Sequence, residues 1–257
     1  MNTSHPLPNI TQNIGLAIIF LLSTSVINSS FPALAQTAIS PKSTLKIRWK
    51  PPIPPRSLGI PGNRAQGGGT RGCQPYRGIT ALVPKLSDNI TWGQTIEDRP
   101  TVWLNAPQGL TKDLQMEIVV RERDGKPIAK QLFTTKRKIA PGAIEISFPS
   151  TTVLKIDRTY DWAVAFYCDT DERIDSPLLV RGQIQRIVSP ATLSAATSSL
   201  ERIQILADNG IWYDTLAQLG NRLRERKDRE SATAWAKLLK SAGTIGSDRI
   251  QDCCRVD

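Results

Sequence analysis

Histidine is almost missing from this chain of 257 residues; the only one is His5. It sits in a segment whose pattern predicts removal, which would leave the mature protein with none. That absence excludes a Ser-His-Asp or Cys-His catalytic pair, an HExxH zinc site and a two-His-one-carboxylate iron site. Acidic residues are missing from the first third. No Asp or Glu precedes Asp88, whereas Lys42, Lys46, Arg48, Lys50, Arg56, Arg64, Arg71, Arg77 and Lys85 all do. Of the net +10, nine charges therefore belong to this opening third, and the remainder, 24 basic against 23 acidic residues, carries +1. The body is nearly neutral and the basicity belongs to one arm.

A long apolar run is missing too. Residues 14–27 (IGLAIIFLLSTSVI) fall short of the roughly 20 residues a membrane span needs. Ala33-Leu34-Ala35 offers an A-x-A cleavage site before Gln36, so residues 1–35 read as a secretory signal peptide, although this leader has no Lys or Arg. No cysteine follows the apolar run, which argues against a lipid anchor. We expect export to the periplasm or cell surface, with no integral membrane segment after cleavage.

Residues 36–77 form a Pro- and Gly-rich basic arm. KPPIPPR (50–56) favours polyproline II, because each Pro fixes φ and removes a donor. GNRAQGGGTRG (62–72) lacks the Gly-Lys-Ser/Thr of a phosphate loop, which excludes that motif. Two readings remain: a flexible basic linker, or an arm that binds something anionic through Arg56, Arg64, Arg71 and Arg77. Nucleic acid does not suit an exported protein. An acidic polysaccharide, a cell-wall polymer or an anionic envelope protein does.

An apolar fraction of 40% supports a real core, and from residue 78 to 188 its pattern is β. In LKIDRTYDWAVAFYC (154–168), Tyr160, Trp162, Val164, Phe166 and Cys168 recur with a period of two, which places them on one face of a central strand. Leu154, six residues before Tyr160, has the spacing of a tyrosine corner, though Ile156-Asp157 stands where Pro-Gly is usual. Six further segments (79–84, 100–106, 114–122, 127–134, 143–148 and 180–188) make seven in all. Their spacing is that of an immunoglobulin- or fibronectin-like β-sandwich. Asp124-Gly125 predicts a tight primed hairpin turn. Glu117, Val119 and Arg121 alternate with apolar residues as one wet face, and Trp103 and Trp162 read as core.

Between 189 and 245 the period becomes helical, predicting a helical hairpin or three-helix segment, with a tail at 246–257. Ser189-Pro190 and Ser198-x-x-Glu201 are two candidate starts, and Asp208-Asn209-Gly210 is a stop. The stripes Leu200/Ile203/Ala207, Trp212/Leu216/Leu219/Leu223 and Ala232/Trp235/Leu239/Ala242 follow. NGIWYDTLAQL has the pitch of a tetratricopeptide unit, but a lone unit has no copies to stack on.

Four cysteines lie beyond the leader, and four allow three pairings. Cys73, just ahead of the first strand, and Cys168, at the end of the core strand, form the favoured bridge. A bond between adjacent Cys253 and Cys254 is strained, so these are expected to be free or intermolecular. Neither CxxC spacing nor histidine supports zinc, and we expect no metal or cofactor. Asp169, Asp171, Glu172 and Asp175 form an acidic turn without EF-hand spacing; a solvated loop suits it better than calcium.

The blocks PRSLGIPGNRAQGGGTRGC, ITALVP, EDRPTVWL, YDWAVAFYCD and DNGIWYDTL occur in order. On them the chain resembles domain-of-unknown-function family 928, exported proteins found mostly in cyanobacteria. The resemblance implies no reaction, cofactor or catalytic residue, and its pattern has cysteines where Cys73 and Cys168 stand. The leading expectation is a non-enzymatic binding module that uses the basic arm. The alternative is an envelope glycan hydrolase working through carboxylates such as Asp169 and Asp171.

Overall fold

The computed structural model describes residues 47–55, 58, 73–87, 90–123, 125–168 and 177–254. The alternating segments become strands in chain order: β1 (Thr80–Ala81), β2 (Lys85–Ser87), β3 (Ile90–Thr95), β4 (Thr101–Ala106), β5 (Gln115–Glu122), β6 (Pro127–Thr134), β7 (Gly142–Ser147), β8 (Thr159–Tyr167) and β9 (Leu178–Arg186). Helices α1 (Ser199–Asp208), α2 (Trp212–Arg226) and α3 (Arg229–Ser241) follow, and then a short strand, β10 (Ile250–Gln251). Each of the seven segments expected from the sequence contains a strand, although 79–84 does so only at Thr80–Ala81, and the chain is mainly β with three C-terminal helices.

The strands make a sandwich-like pair of sheets, one of six strands ordered β2-β3-β9-β8-β5-β6 and one of four ordered β1-β4-β7-β10. β3 runs parallel to β9 and β10 parallel to β7; the other pairs are antiparallel. β8 is central in the larger sheet, paired with β5 on one side and β9 on the other. Its apolar set faces the core, with Tyr160, Trp162, Val164 and Phe166 at most 1% exposed. The tyrosine corner forms: the Lys155 N–H donates to Tyr160 Oη at 3.0 Å. Asp157 takes φ 60° where Pro-Gly is usual, a conformation Asp tolerates better than most side chains.

One turn differs from expectation. β5 and β6 are antiparallel neighbours, but Gly125 is not among the glycines at positive φ, and the register shifts between Val120 and Arg121. The pairing steps from Val120 opposite Ala129 to Arg121 opposite Pro127, so the extra residue of the bulge is Ile128 in β6; Asp124 lies outside the described residues. Strand β3 escapes the sequence pattern because Gly93 interrupts it. The gap is needed, since a Cβ on Gly93 would lie 3.0 Å from both Trp212 Cβ and Tyr213 Cε2. α2 thus lies directly against this strand.

The helices share the core of the sheets. One apolar cluster contains Val102, Trp103, Ile144 and Trp162 together with Trp212, Leu216, Leu219 and Trp235. Trp103 and Trp235 meet edge to face at 5.3 Å, and a Cβ on Gly220 would lie 2.6 Å from the Trp103 ring, so α2 approaches β4 closely. Both start signals are used: a 3₁₀ turn (Ala191–Ala195) follows Pro190, and the Glu201 N–H donates to Ser198 Oγ at 3.2 Å to cap α1. The Glu201 carboxylate accepts from the N–H and hydroxyl of Thr197, which holds its pKa below the usual carboxylate range. α1 stops at Asp208, and Gly210 turns the chain at φ 74°.

Part of the arm is anchored on this body. Trp49 is buried edge-on against Trp212 at 5.3 Å, and the Lys50 N–H donates to Ala207 O at 3.1 Å. Among the described residues no helix is long and apolar enough to cross a membrane.

The start of α2 is tied to the sheets by polar groups. The Trp212 indole N–H donates to Leu82 O at 2.8 Å. Tyr213 Oη accepts from the Trp162 indole N–H and donates to Gln183 O, each at 2.9 Å, and burial pushes its pKa far up. Tyr213→Phe would leave a buried donor and a buried acceptor without this hydroxyl. We expect a loss of about 2–3 kcal/mol in urea unfolding, with the fluorescence of the native state little changed.

Candidate functional site

The side chains of β8 that point away from the core are Asp161, Ala163, Ala165 and Tyr167. Opposite them in register stand Arg121, Val119, Glu117 and Gln115 on β5, and Gln183, Arg181 and Leu179 on β9. Two alanines in the middle of three paired strands are too short to fill the space between their taller neighbours. The result is a trough of about 400 Å³ with Ala163 and Ala165 as its floor and Val119, Leu179, Arg121 and Arg181 among its walls. Tyr167 and Pro177 also line it. Its volume lies in the range of small-ligand sites, about 300–1,000 Å³.

The carboxylates of the trough are already engaged. Glu117 is ion-paired to Lys130 Nζ at 2.9 Å and accepts from Tyr167 Oη at 3.2 Å. The hydrogen bond from Lys130 to Glu117 and the Glu117 charge raise the Lys130 pKa; burial and then the Glu117 charge raise that of Tyr167. Asp161 accepts from Gln183 Nε2 at 2.7 Å. Arg121 and Arg181 differ. Both are exposed, and neither has an ion pair or side-chain hydrogen bond among the described residues. Arg181 stands opposite Ala163, and Arg121 opposite the neighbouring outward residue Asp161. Two unengaged guanidinium groups beside a shallow floor can hold a carboxylate, sulfate or phosphate through forked, charge-assisted hydrogen bonds.

Of the residues singled out in the sequence, Cys73 and Cys168 are bonded, with Cα atoms 5.1 Å apart. Arg77 is exposed at the end of the 3₁₀ turn Gln74–Tyr76. Arg56, Arg64 and Arg71 lie outside the described residues, as do Asp169, Asp171, Glu172 and Asp175. Trp103 and Trp162 are core, each 1% exposed. Cys253 and Cys254 are bonded to each other rather than free or intermolecular; the backbone accommodates the pair with Cys254 at φ 64°. Among the described residues no three His, Cys, Asp or Glu side chains are grouped to hold a metal ion.

Arg181 and Tyr167 were not singled out in the sequence, and Arg121 stood only as part of a wet strand face. The signal was present as the polar half of each alternation, but the trough needs three strands laid side by side.

A family model described as Domain of Unknown Function (DUF928) matches residues 66–248. The chain belongs to the DUF928 family. The match spans β1 to α3, so the trough, the tyrosine corner and the Cys73–Cys168 bond all fall within the DUF928 region, while β10 and the second cysteine pair lie beyond it. No curated protein matches the chain.

Proposed function

We propose that this DUF928 protein is an exported, non-enzymatic binding module for an acidic polymer of the cell envelope, with the trough on β5, β8 and β9 as its contact site. The observation that carries the reading is the pair of unengaged guanidinium groups, Arg121 and Arg181, beside the Ala163–Ala165 floor. Such small side chains leave room for the apolar C–H face of a pyranose ring, with Arg121 and Arg181 beside it to receive the carboxylate of a uronic acid. The basic arm adds to this. The disulfide ties Cys73, where the arm ends, to Cys168, the residue after Tyr167. The arm's one-sided charge, with no Asp or Glu before Asp88, favours an anionic partner. Glu117 and Asp161 act as acceptors that orient their neighbours, which suits recognition better than proton transfer.

Titration of the purified protein with a polyuronate, against a neutral glucan as control, tests this. Binding to the polyuronate alone is expected, weakening with salt because exposed charges are screened over about 10 Å at 0.1 M. Arg121→Gln with Arg181→Gln should reduce affinity at least about tenfold, as loss of charge-assisted hydrogen bonds implies. Replacing Arg56, Arg64 and Arg71 by Gln should weaken binding further. Equal binding of both polymers, or an unchanged affinity in the double variant, would reject the trough as the contact.

A further inference from the structure

A second cavity, of about 630 Å³, lies where the chain's last described residues meet β6 and β7. Its lining includes Phe133, Lys136, Arg137 and Glu145, and the segment ending in Cys253 and Cys254. The backbone leading to the two cysteines is held firmly. β10 pairs with β7, and Arg224 of α2, stacked 5.7 Å from the Trp103 ring, is ion-paired at 3.0 Å to both buried Glu145 and Asp252. Arg137 Nη2 donates to Asp252 O at 3.1 Å. Beyond that anchor Cys253 and Cys254 are only half-buried, and both line the cavity.

The two disulfides differ in kind. Cys73–Cys168 closes a separation of 95 residues, and Cys73 is 3% exposed. Cys253–Cys254 closes no stretch of chain, so it removes almost no entropy from the unfolded state. It also closes a small ring through one peptide group, with Cys254 at φ 64°, a left-handed conformation that side-chain-bearing residues rarely adopt. Reduction relieves that constraint. Lys136 and Arg137 line the same cavity, and cations nearby favour the thiolate over the thiol. A strained, accessible disulfide is the labile type.

We propose that Cys253 and Cys254 are a redox-active pair that exchanges with dithiols at this cavity, a role separate from polymer binding and from the structural Cys73–Cys168 bond. A thiolate of the incoming dithiol attacks one sulfur of the pair. The Cys253–Cys254 bond breaks, a mixed disulfide forms, and the bonding electron pair leaves on the other cysteine, which takes up a proton. The donor's second thiol loses its proton and attacks the mixed disulfide, releasing the remaining cysteine as a thiolate that is protonated in turn. The protein gains two electrons and two protons, and the dithiol is oxidised to its disulfide.

The test equilibrates the full chain in graded mixtures of reduced and oxidised dithiothreitol, quenches with an alkylating reagent, and maps the peptides. Cys253 and Cys254 should become alkylated at a reduced-to-oxidised ratio at least a hundredfold lower than Cys73 and Cys168. Reduction of both pairs at the same ratio would overturn the proposal, and so would full alkylation of Cys253 and Cys254 before any reductant is added. Lys136→Gln should move the pH midpoint for alkylation of the reduced pair upward while leaving the native fold's unfolding curve unchanged. An unmoved midpoint would overturn the part assigned to that cation.

Discussion

Replacing Cys73 and Cys168 together by alanine should lower the stability of the folded chain by about 4–5 kcal/mol, on the chain-entropy account of a loop near 100 residues. The bond spans 95 residues that hold strands β1 to β8, so it constrains most of the sandwich in the unfolded state. In the folded state Cys73 belongs to the main apolar cluster and Cys168 packs against it. The pair of alanines is the right probe, because a single replacement leaves a reactive thiol behind. Urea unfolding followed by tryptophan fluorescence reads the effect. A variant with the wild-type midpoint would show that the bond does not form in the protein as produced. The same variant should lose affinity for the polyuronate as well, since Cys168 follows Tyr167 at the end of the trough.

What the sequence declares and what it withholds divide along physical lines. β8 was legible because its large residues alternate without a break, and Tyr160 and Leu154 sit at the spacing that a corner bond requires. The helix boundaries were legible because caps are local: Ser198 with Glu201, and Asn209-Gly210. β3 was not, since Gly93 has a meaning only once the start of α2 lies against it. β10 is two residues long and shows no period at all. The trough was invisible for a different reason. Val119, Ala163 and Arg181 lie on three strands, and only the register that aligns them turns two alanines into a floor. Register depends on the buried face of each strand, so the exposed face follows from it and carries little signal of its own.

Asp214 should make the protein's stability depend on pH between about 4 and 7. It lies in the first turn of α2 at 5% exposure, with Oδ2 accepting from the Ile96 N–H at 3.3 Å and Oδ1 unpartnered. Burial pushes its carboxyl up to about 7; the Thr95 hydroxyl and Ile96 amide pull it partly back, and the nearby Glu97 charge adds to the rise. In the unfolded chain the group returns to its ordinary value of 3.8. Between the two values the folded chain keeps a proton that the unfolded chain has lost, so stability falls as pH rises. The contribution is complete below 3.8 and gone above about 7. Its size is on the order of 4 kcal/mol. Asp214→Asn preserves the shape and an acceptor for Ile96 without ever ionising. The variant should therefore be more stable than wild type at pH 8 by on the order of 4 kcal/mol, with the difference shrinking toward zero by pH 4. Urea midpoints of both proteins at four or five pH values measure it, and parallel curves across that range would refute the assignment.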